Sequence, residues 1–287
     1  MTRKVMDFGS PRGERLYCAF VLLLMLSLVA ACAAPGERRY LGDAASDDAL
    51  TGHRYLGPIQ PRDIGPIEFG QHSSMRYRIT ETGEPTVFRV VERRKLGATI
   101  RESHTLITDD GEFTLMVTRA MNGPVYGVDL ESIEMASSES VDEEEISKIR
   151  SSLSSLGGVL TKIQGAVLGK PLVVDDFYPW DAEESAMALV EDIVDGAGDV
   201  GMTFEASSRY LGITKTSEGE AAVFQEYGSG AVKTDSDEIP FYGAGWRLID
   251  KDTGALIEQD WRMKTEYAID GKTEAIYAQK RIELVDE

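Results

Sequence analysis

The sequence predicts a mainly β protein of the α+β class: antiparallel meander sheets with one or two amphipathic helices packed on a face. Three observations carry this expectation. Residues of alternating character recur with a period of two, as where Phe113, Leu115 and Val117 alternate with Thr114, Met116 and Thr118, the pattern of a strand with one buried face. Turn-forming clusters such as Asp109-Asp110-Gly111 separate these segments at hairpin spacing. Only between about 138 and 195 does a helical period replace the period of two.

In chain order, the strands Met75–Thr80 and Thr86–Glu92 are joined by the turn-like Glu81-Thr82-Gly83-Glu84-Pro85. Ala98–Thr108 and Glu112–Arg119 flank the Asp-Asp-Gly turn, and Val125–Leu130 adds a further strand. Ile146, Ile149, Leu153, Leu156, Leu160, Ile163 and Val167 then fall at spacings of three and four, with Ser140 placed as N-cap and Glu143, Glu144 and Glu145 suited to the positive helix end. Two adjacent glycines cost about 2 kcal/mol against alanine, so Gly157-Gly158 predicts a helix ending near Leu156 and a second short element after it. This helix reads as cover for one sheet face, or alternatively as a partner-binding or coiled-coil helix.

Gly169–Asp176 reads as a short strand. Asp181 and Glu184 form a capping-box-like start for a helix over Ala182–Asp195, stopped by Gly196. From Val200 the strands return, with hairpins at Asp250-Lys251-Asp252-Thr253-Gly254 and Asp270-Gly271-Lys272. Between them Ile257, Trp261 and Met263 are expected on one face, and Ile276, Ala278, Ile282 and Leu284 on one face of the last strand. Arg76–Phe88 (RYRITETGEPTVF) and Arg209–Phe224 (RYLGITKTSEGEAAVF) align with one gap. They read either as two similar β halves, 66–136 and 196–287 around a helical insert at 138–195, or as a chance match of two hairpins.

The chain has 30 basic and 49 acidic side chains, a net charge of −19. Residues 1–31 hold four basic and two acidic groups, so the remainder carries −21. Such a body is repelled by nucleic acid and by anionic lipid headgroups, which excludes nucleic-acid binding and polybasic membrane attachment.

The N-terminal segment says where the chain goes. Arg3, Lys4, Arg12 and Arg15 precede an apolar run of 14 residues from Cys18 to Ala31, shorter than the roughly 20 a spanning helix needs. The run closes on Val29-Ala30-Ala31-Cys32. These residues resemble the signal peptide and lipobox of bacterial lipoproteins. The resemblance implies cleavage between Ala31 and Cys32, a diacylglyceryl thioether on Cys32, and an acyl chain such as palmitate on its new amine. One chain holds only marginally at about 0.8 kcal/mol per buried methylene, whereas two or three anchor stably. Ala33 after the cysteine implies sorting to the outer membrane, facing the periplasm. An ordinary cleaved signal at Ala31-Cys32-Ala33 and an uncleaved anchor helix are the alternatives. Residues 32–65, rich in Ala, Gly, Pro, Asp and Arg, read as a lipid-anchored flexible tether, and 66–287 as the folded body. The segment from Gly169 also looks somewhat like uncharacterised β-rich envelope lipoproteins, a likeness that implies no activity.

Chemistry is sparse. His53, His72 and His104 have no metal-ligand spacing, and Ser103 cannot pair with His104 because neighbours in a strand face opposite ways. Gly228-Ser229-Gly230 lacks the spacing of a nucleophile elbow and reads as a loop; Asp250, Asp252 and Glu258 echo a calcium loop but read as a hairpin turn. Trp180, Trp246 and Trp261 could line a ligand groove, although sheet aromatics are more often core. No catalytic residue, metal site or cofactor is expected. The leading expectation is a non-enzymatic envelope lipoprotein with a structural or binding-accessory role, its partners being the membrane through its anchor and other envelope proteins. The rivals are a periplasmic carrier of lipid or another hydrophobic ligand, built as a half-barrel with a helix lid, and an envelope hydrolase with a scattered site. An apolar cavity between sheet and helix would mark the carrier.

Overall fold

A computed structural model describes residues 58–70, 72–81, 86–108, 111–135, 143–193, 201–233, 238–269 and 272–285. The leader, Ala31 and Cys32, and the expected tether up to residue 57 lie outside the described residues. The chain runs β1 (His72–Glu81), β2 (Val87–Leu96), β3 (Thr99–Thr108), β4 (Gly111–Ala120), β5 (Val125–Met135), α1 (Glu143–Val167), β6 (Phe177–Pro179), α2 (Glu183–Ile193), β7 (Gly201–Lys215), β8 (Glu220–Lys233), β9 (Glu238–Asp250), β10 (Leu256–Ile269) and β11 (Lys272–Val285). All strands join one antiparallel sheet in the order β5-β4-β3-β2-β1-β11-β10-β9-β8-β7-β6. Each hairpin therefore adds the next strand in line, and the first and last long strands, β1 and β11, pair at the middle. The sheet is not closed.

The period-of-two reading holds for β4, where Phe113, Leu115 and Val117 are all buried. The two echoing segments form the β1–β2 and β7–β8 hairpins. Two similar halves are not shown, and the hairpins sit in different surroundings, one at the centre of the sheet and the other near its edge.

Three local expectations are corrected. First, α1 does not break at Gly157-Gly158 but runs unbroken for 25 residues. The glycines let it pack closely: a Cβ on Gly157 would lie 3.4 Å from Val128 of β5, and one on Gly158 would lie 3.1 Å from the Ser185 hydroxyl of α2. The packing gained there offsets the low helix propensity of the pair. Second, the strand expected over Gly169–Asp176 contributes only an isolated bridge at Leu172, and the sheet edge is Phe177–Pro179 instead. Third, Ile257 does not share a face with Trp261. A bulge between Leu256 and Glu258 inserts an extra residue, so Leu256 joins Trp261 and Met263 in the main core. Ile257 joins Ala221, Val223, Trp246 and Leu248 in a second cluster. One inserted residue is enough to exchange the faces of a strand.

The end of the expected tether is a strap docked across the body. Gln60 exchanges backbone hydrogen bonds with Ile213 of β7, Ile64 with Leu172, and the Ile67 carbonyl accepts from Gly169. Phe69 then donates to the Met121 carbonyl and Gly70 to that of Thr253. Gly212 allows the first contact: its φ is +129°, and a Cβ there would stand 2.4 Å from the Gln60 carbonyl oxygen. Ile67 and Phe69 are buried in the main core, which is why these residues stay on the body rather than serving as linker. That core is the layer between the sheet and α1, where Leu153, Leu156, Val159, Ile163 and Val167 face strand residues such as Val91, Leu115 and Ile282.

Candidate functional site: a charged cavity beneath the long helix

Between the sheet and α1 lies a cavity of about 200 Å³. Its walls are mostly apolar: Met75 and Ile79 of β1, Val91 of β2, Leu106 of β3, Leu115 and Val117 of β4, and Leu156, Leu160 and Ile163 of α1. Set into this lining are Arg89, Arg93, Glu102, His104, Arg119 and Lys280.

The strand register explains how these charges meet. Glu102 and His104 are two apart on β3 and face the same way. Arg93 of β2 sits directly across from Glu102. Val117 of β4 is the other neighbour of Glu102, which places Arg119 one inward position along. Arg93 Nε donates to Glu102 Oε1 at 2.7 Å, and Arg119 Nη2 lies 2.8 Å from Oε2. His104 Nε2 is 3.2 Å from the same Oε2. Arg93, Glu102 and Arg119 are each at least 96% buried. The two guanidiniums each stand 4.6 Å from the Phe69 ring centroid, so the strap supplies an aromatic face to both. Arg93 also donates to the Thr253 carbonyl at 2.8 Å, and Arg119 donates to Gln164 of α1.

Burial alone would raise the Glu102 carboxyl, but Arg119, then His104 and Arg93, outweigh it and hold it well below the usual carboxylate range. Burial lowers His104 despite Glu102 beside it, so its ring is neutral at neutral pH. Burial also lowers Arg89 and Arg119 from their ordinary values. Lys280 is brought down to about 8, chiefly by burial and further by Arg89, although Glu81 at 3.9 Å opposes this. Arg89 lies over the Tyr77 ring at 4.7 Å. Among the described residues Arg89 forms no ion pair, and its Nε has no hydrogen-bond partner.

Farther round, Trp180, Arg247 and Gln259 complete the lining. Arg247 Nε lies 2.9 Å from the buried Glu226 carboxylate, which also accepts from Gln259 at 2.9 Å. Trp180 Nε1 donates to Ser208 at 2.9 Å. Among the described residues five cationic side chains stand at the cavity, four of them with Glu81, Glu102 or Glu226 as carboxylate partner. A body of strongly negative net charge thus holds a positive interior site.

The three tryptophans do not form one groove. Trp180 lines the cavity. Trp261 lies in the main core against Gly243 and Gly245 of β9, where no Cβ would fit, and Trp246 belongs to the second cluster. His104 belongs to the charged cluster, while Ser103 faces the other way. Gly228-Ser229-Gly230 is not a loop but part of β8, paired on both sides. Asp250 Oδ1 accepts from the Asp252 and Thr253 amides and from the Thr253 hydroxyl, closing a turn, and Glu258 pairs instead with Arg281. No group of three or more metal-ligating side chains occurs among the described residues. The charged cluster itself was missed. Its signal was a charge at an inward position: Arg89 and Arg93 share the parity of Val87 and Val91, Glu102 and His104 that of Ile100 and Leu106, and Lys280 that of Ile282.

An open antiparallel sheet with a cavity roofed by one long helix is thus the class of architecture. No family model matches the chain, and no curated protein matches it. A crystal structure from Bacteroides fragilis, described as a "putative exported protein with YmcC-like fold", is similar over 76% of this chain and 97% of its own, at 10% identity and a TM-score of 0.29. A likeness that distant carries no argument about this chain. No helix among the described residues is long and apolar enough to cross a membrane.

Glu102→Gln leaves two buried guanidiniums with a neutral partner and is expected to lower stability by about 3–5 kcal/mol, read from urea unfolding; a loss under about 1 kcal/mol would show that the cluster is not the keystone. Lys280 yields a pH test. Its folded pKa of about 8 lies below the ordinary 10.5, so between those values the unfolded chain binds a proton that the folded chain has shed. Its contribution is therefore fully present above the unfolded value and is lost as pH falls through the folded one. Lys280→Met should gain stability relative to the parent below about pH 8, the difference shrinking towards pH 10.5; a difference independent of pH would refute the shift.

Proposed function

We propose that this protein is an exported, lipid-anchored binding protein of the cell envelope that carries a small hydrophobic ligand in the cavity beneath α1 and catalyses no reaction. The cavity is the observation that supports this reading. Apolar walls with a few polar groups set into them are the make-up of a small-molecule site. A purely structural role accounts for Arg93 and Arg119, which Glu102 holds, but not for Arg89 at the cavity wall. The volume is below the ~300–1,000 Å³ of pockets for drug-sized ligands, so the ligand is small. A hydrolase reading has less support, because among the described residues no serine, threonine or cysteine lines the cavity beside His104.

Export, acylation of Cys32 and sorting to the outer membrane rest on the leader residues and their resemblance to bacterial lipoproteins. The acidic exterior agrees with attachment through acyl chains rather than headgroup contact, and with partners drawn from the membrane and envelope proteins rather than nucleic acid.

Cys32→Ala should abolish incorporation of labelled fatty acid and release the protein into the soluble envelope fraction; unchanged labelling with retention in membranes would defeat the anchor. Native mass spectrometry of that soluble form, purified without detergent, should show an added mass that denaturation removes. A clean apo mass, together with no uptake of small amphiphiles, would defeat the carrier reading.

A further inference from the structure

We infer that the ligand is an amphipathic carboxylate, a short- or medium-chain fatty acid or similar monocarboxylate, whose head group pairs with Arg89 while its chain lies along the apolar wall under α1. This rests on the carrier reading and names the chemistry of its ligand.

Arg89 is distinguished by what it lacks. Arg93 is held by Glu102 and the Thr253 carbonyl, Arg119 by Glu102 and Gln164, Arg247 by Glu226, and Lys280 faces Glu81. Arg89 has the Tyr77 ring and the more distant charge of Glu102, but no carboxylate in contact among the described residues. An enclosed guanidinium without an anion is among the costliest groups a fold can hold. The surface that Arg89 retains lines the cavity, so an anion inside can reach it. A planar guanidinium matches a planar carboxylate in two parallel hydrogen bonds, and its Nε–H is unsatisfied.

The neighbours set the charge of the ligand. Arg93 and Arg119 share the single carboxylate of Glu102, so the cluster carries surplus positive charge even before Arg89 is counted. A cationic ligand is excluded by that surplus, and a neutral one would leave Arg89 as it stands. His104 is uncharged at neutral pH and adds nothing to the surplus. Leu106, directly across from Arg89 on β3, and Leu115 and Val117 beyond it continue the apolar wall towards Leu156 and Ile163. The arrangement is a polar anchor at one place and an apolar lining at another, which is what an amphiphile requires.

The test is isothermal titration of the full-length Cys32→Ala chain, freed of co-purified ligand, with octanoate, octanol and octylammonium. Octanoate should bind at least tenfold more tightly than octanol, and octylammonium more weakly than either. Arg89→Gln should bind octanoate and octanol alike, whereas Arg89→Lys should keep the preference for octanoate. Should Arg89→Gln fail to fold, the three ligands on the parent chain still decide the matter. Octanol binding as tightly as octanoate, or Arg89→Gln keeping the preference, overturns the carboxylate while leaving the carrier intact. No binding of any of the three overturns both.

Discussion

The structure depends on one carboxylate. Glu102 holds Arg93 and Arg119, and through them it ties together parts of the chain that share no backbone hydrogen bonds with it. Arg93 reaches the turn between β9 and β10, Arg119 reaches α1, and both pack on Phe69 of the strap. Three strands, a helix, a turn and the strap therefore meet around a single negative charge. In a medium of low dielectric such a group is tolerated only when its partners are in place, because removing one leaves another charge buried and uncompensated. The cluster thus does more to fix one arrangement of the layers than to add net stability. It also places cations beside an otherwise apolar cavity.

The shape of the sheet places the cavity. Eleven strands in meander order leave it open, with the short β6 at one edge and β5 at the other. α1 packs against β5 through Gly157 and reaches the Arg119 side chain from the same layer. On the other side of the sheet, the β10 bulge directs Ile257 into a second cluster with residues of β8 and β9, against which Ile59 of the strap and Leu211 pack. The strands that carry this second cluster are buried on both faces, which explains why Ala221 to Phe224 form a continuous buried run instead of alternating.

Much of the fold was legible because strand alternation and turn chemistry are local properties. Phe113, Leu115 and Val117 reported their buried face directly, and Asp250 to Gly254 reported a turn whose hydrogen bonds lie within five residues. The errors share a cause. Gly157-Gly158 reads as a helix break until Val128 and Ser185 are beside it, and Ile257 reads as a partner of Trp261 until the bulge is known. Residues 58–65 read as linker because their partners are Ile213 and Leu172, more than a hundred residues away. The site was less legible still. An inward charge in a strand is visible as a break in the apolar parity, but Glu102, Arg93 and Arg119 become a cluster only when the register aligns them.

The sequence by itself determined the fold class, the presence of the five strands before α1, the acidic exterior and the resemblance of the leader to a lipoprotein signal. Each is written in short-range pattern or in composition, and neither needs a partner distant in the chain. Tertiary structure alone decided that β1 pairs with β11, that residues 58–70 form a strap, and that the charges of five strands face one cavity under α1. It also decided that Arg89, which shares its inward parity with Arg93 in the sequence, is the cation there with no carboxylate in contact among the described residues. The physical reason is that burial and charge pairing belong to the neighbourhood of a side chain, and here that neighbourhood joins strands from early and late in the chain at the middle of the sheet.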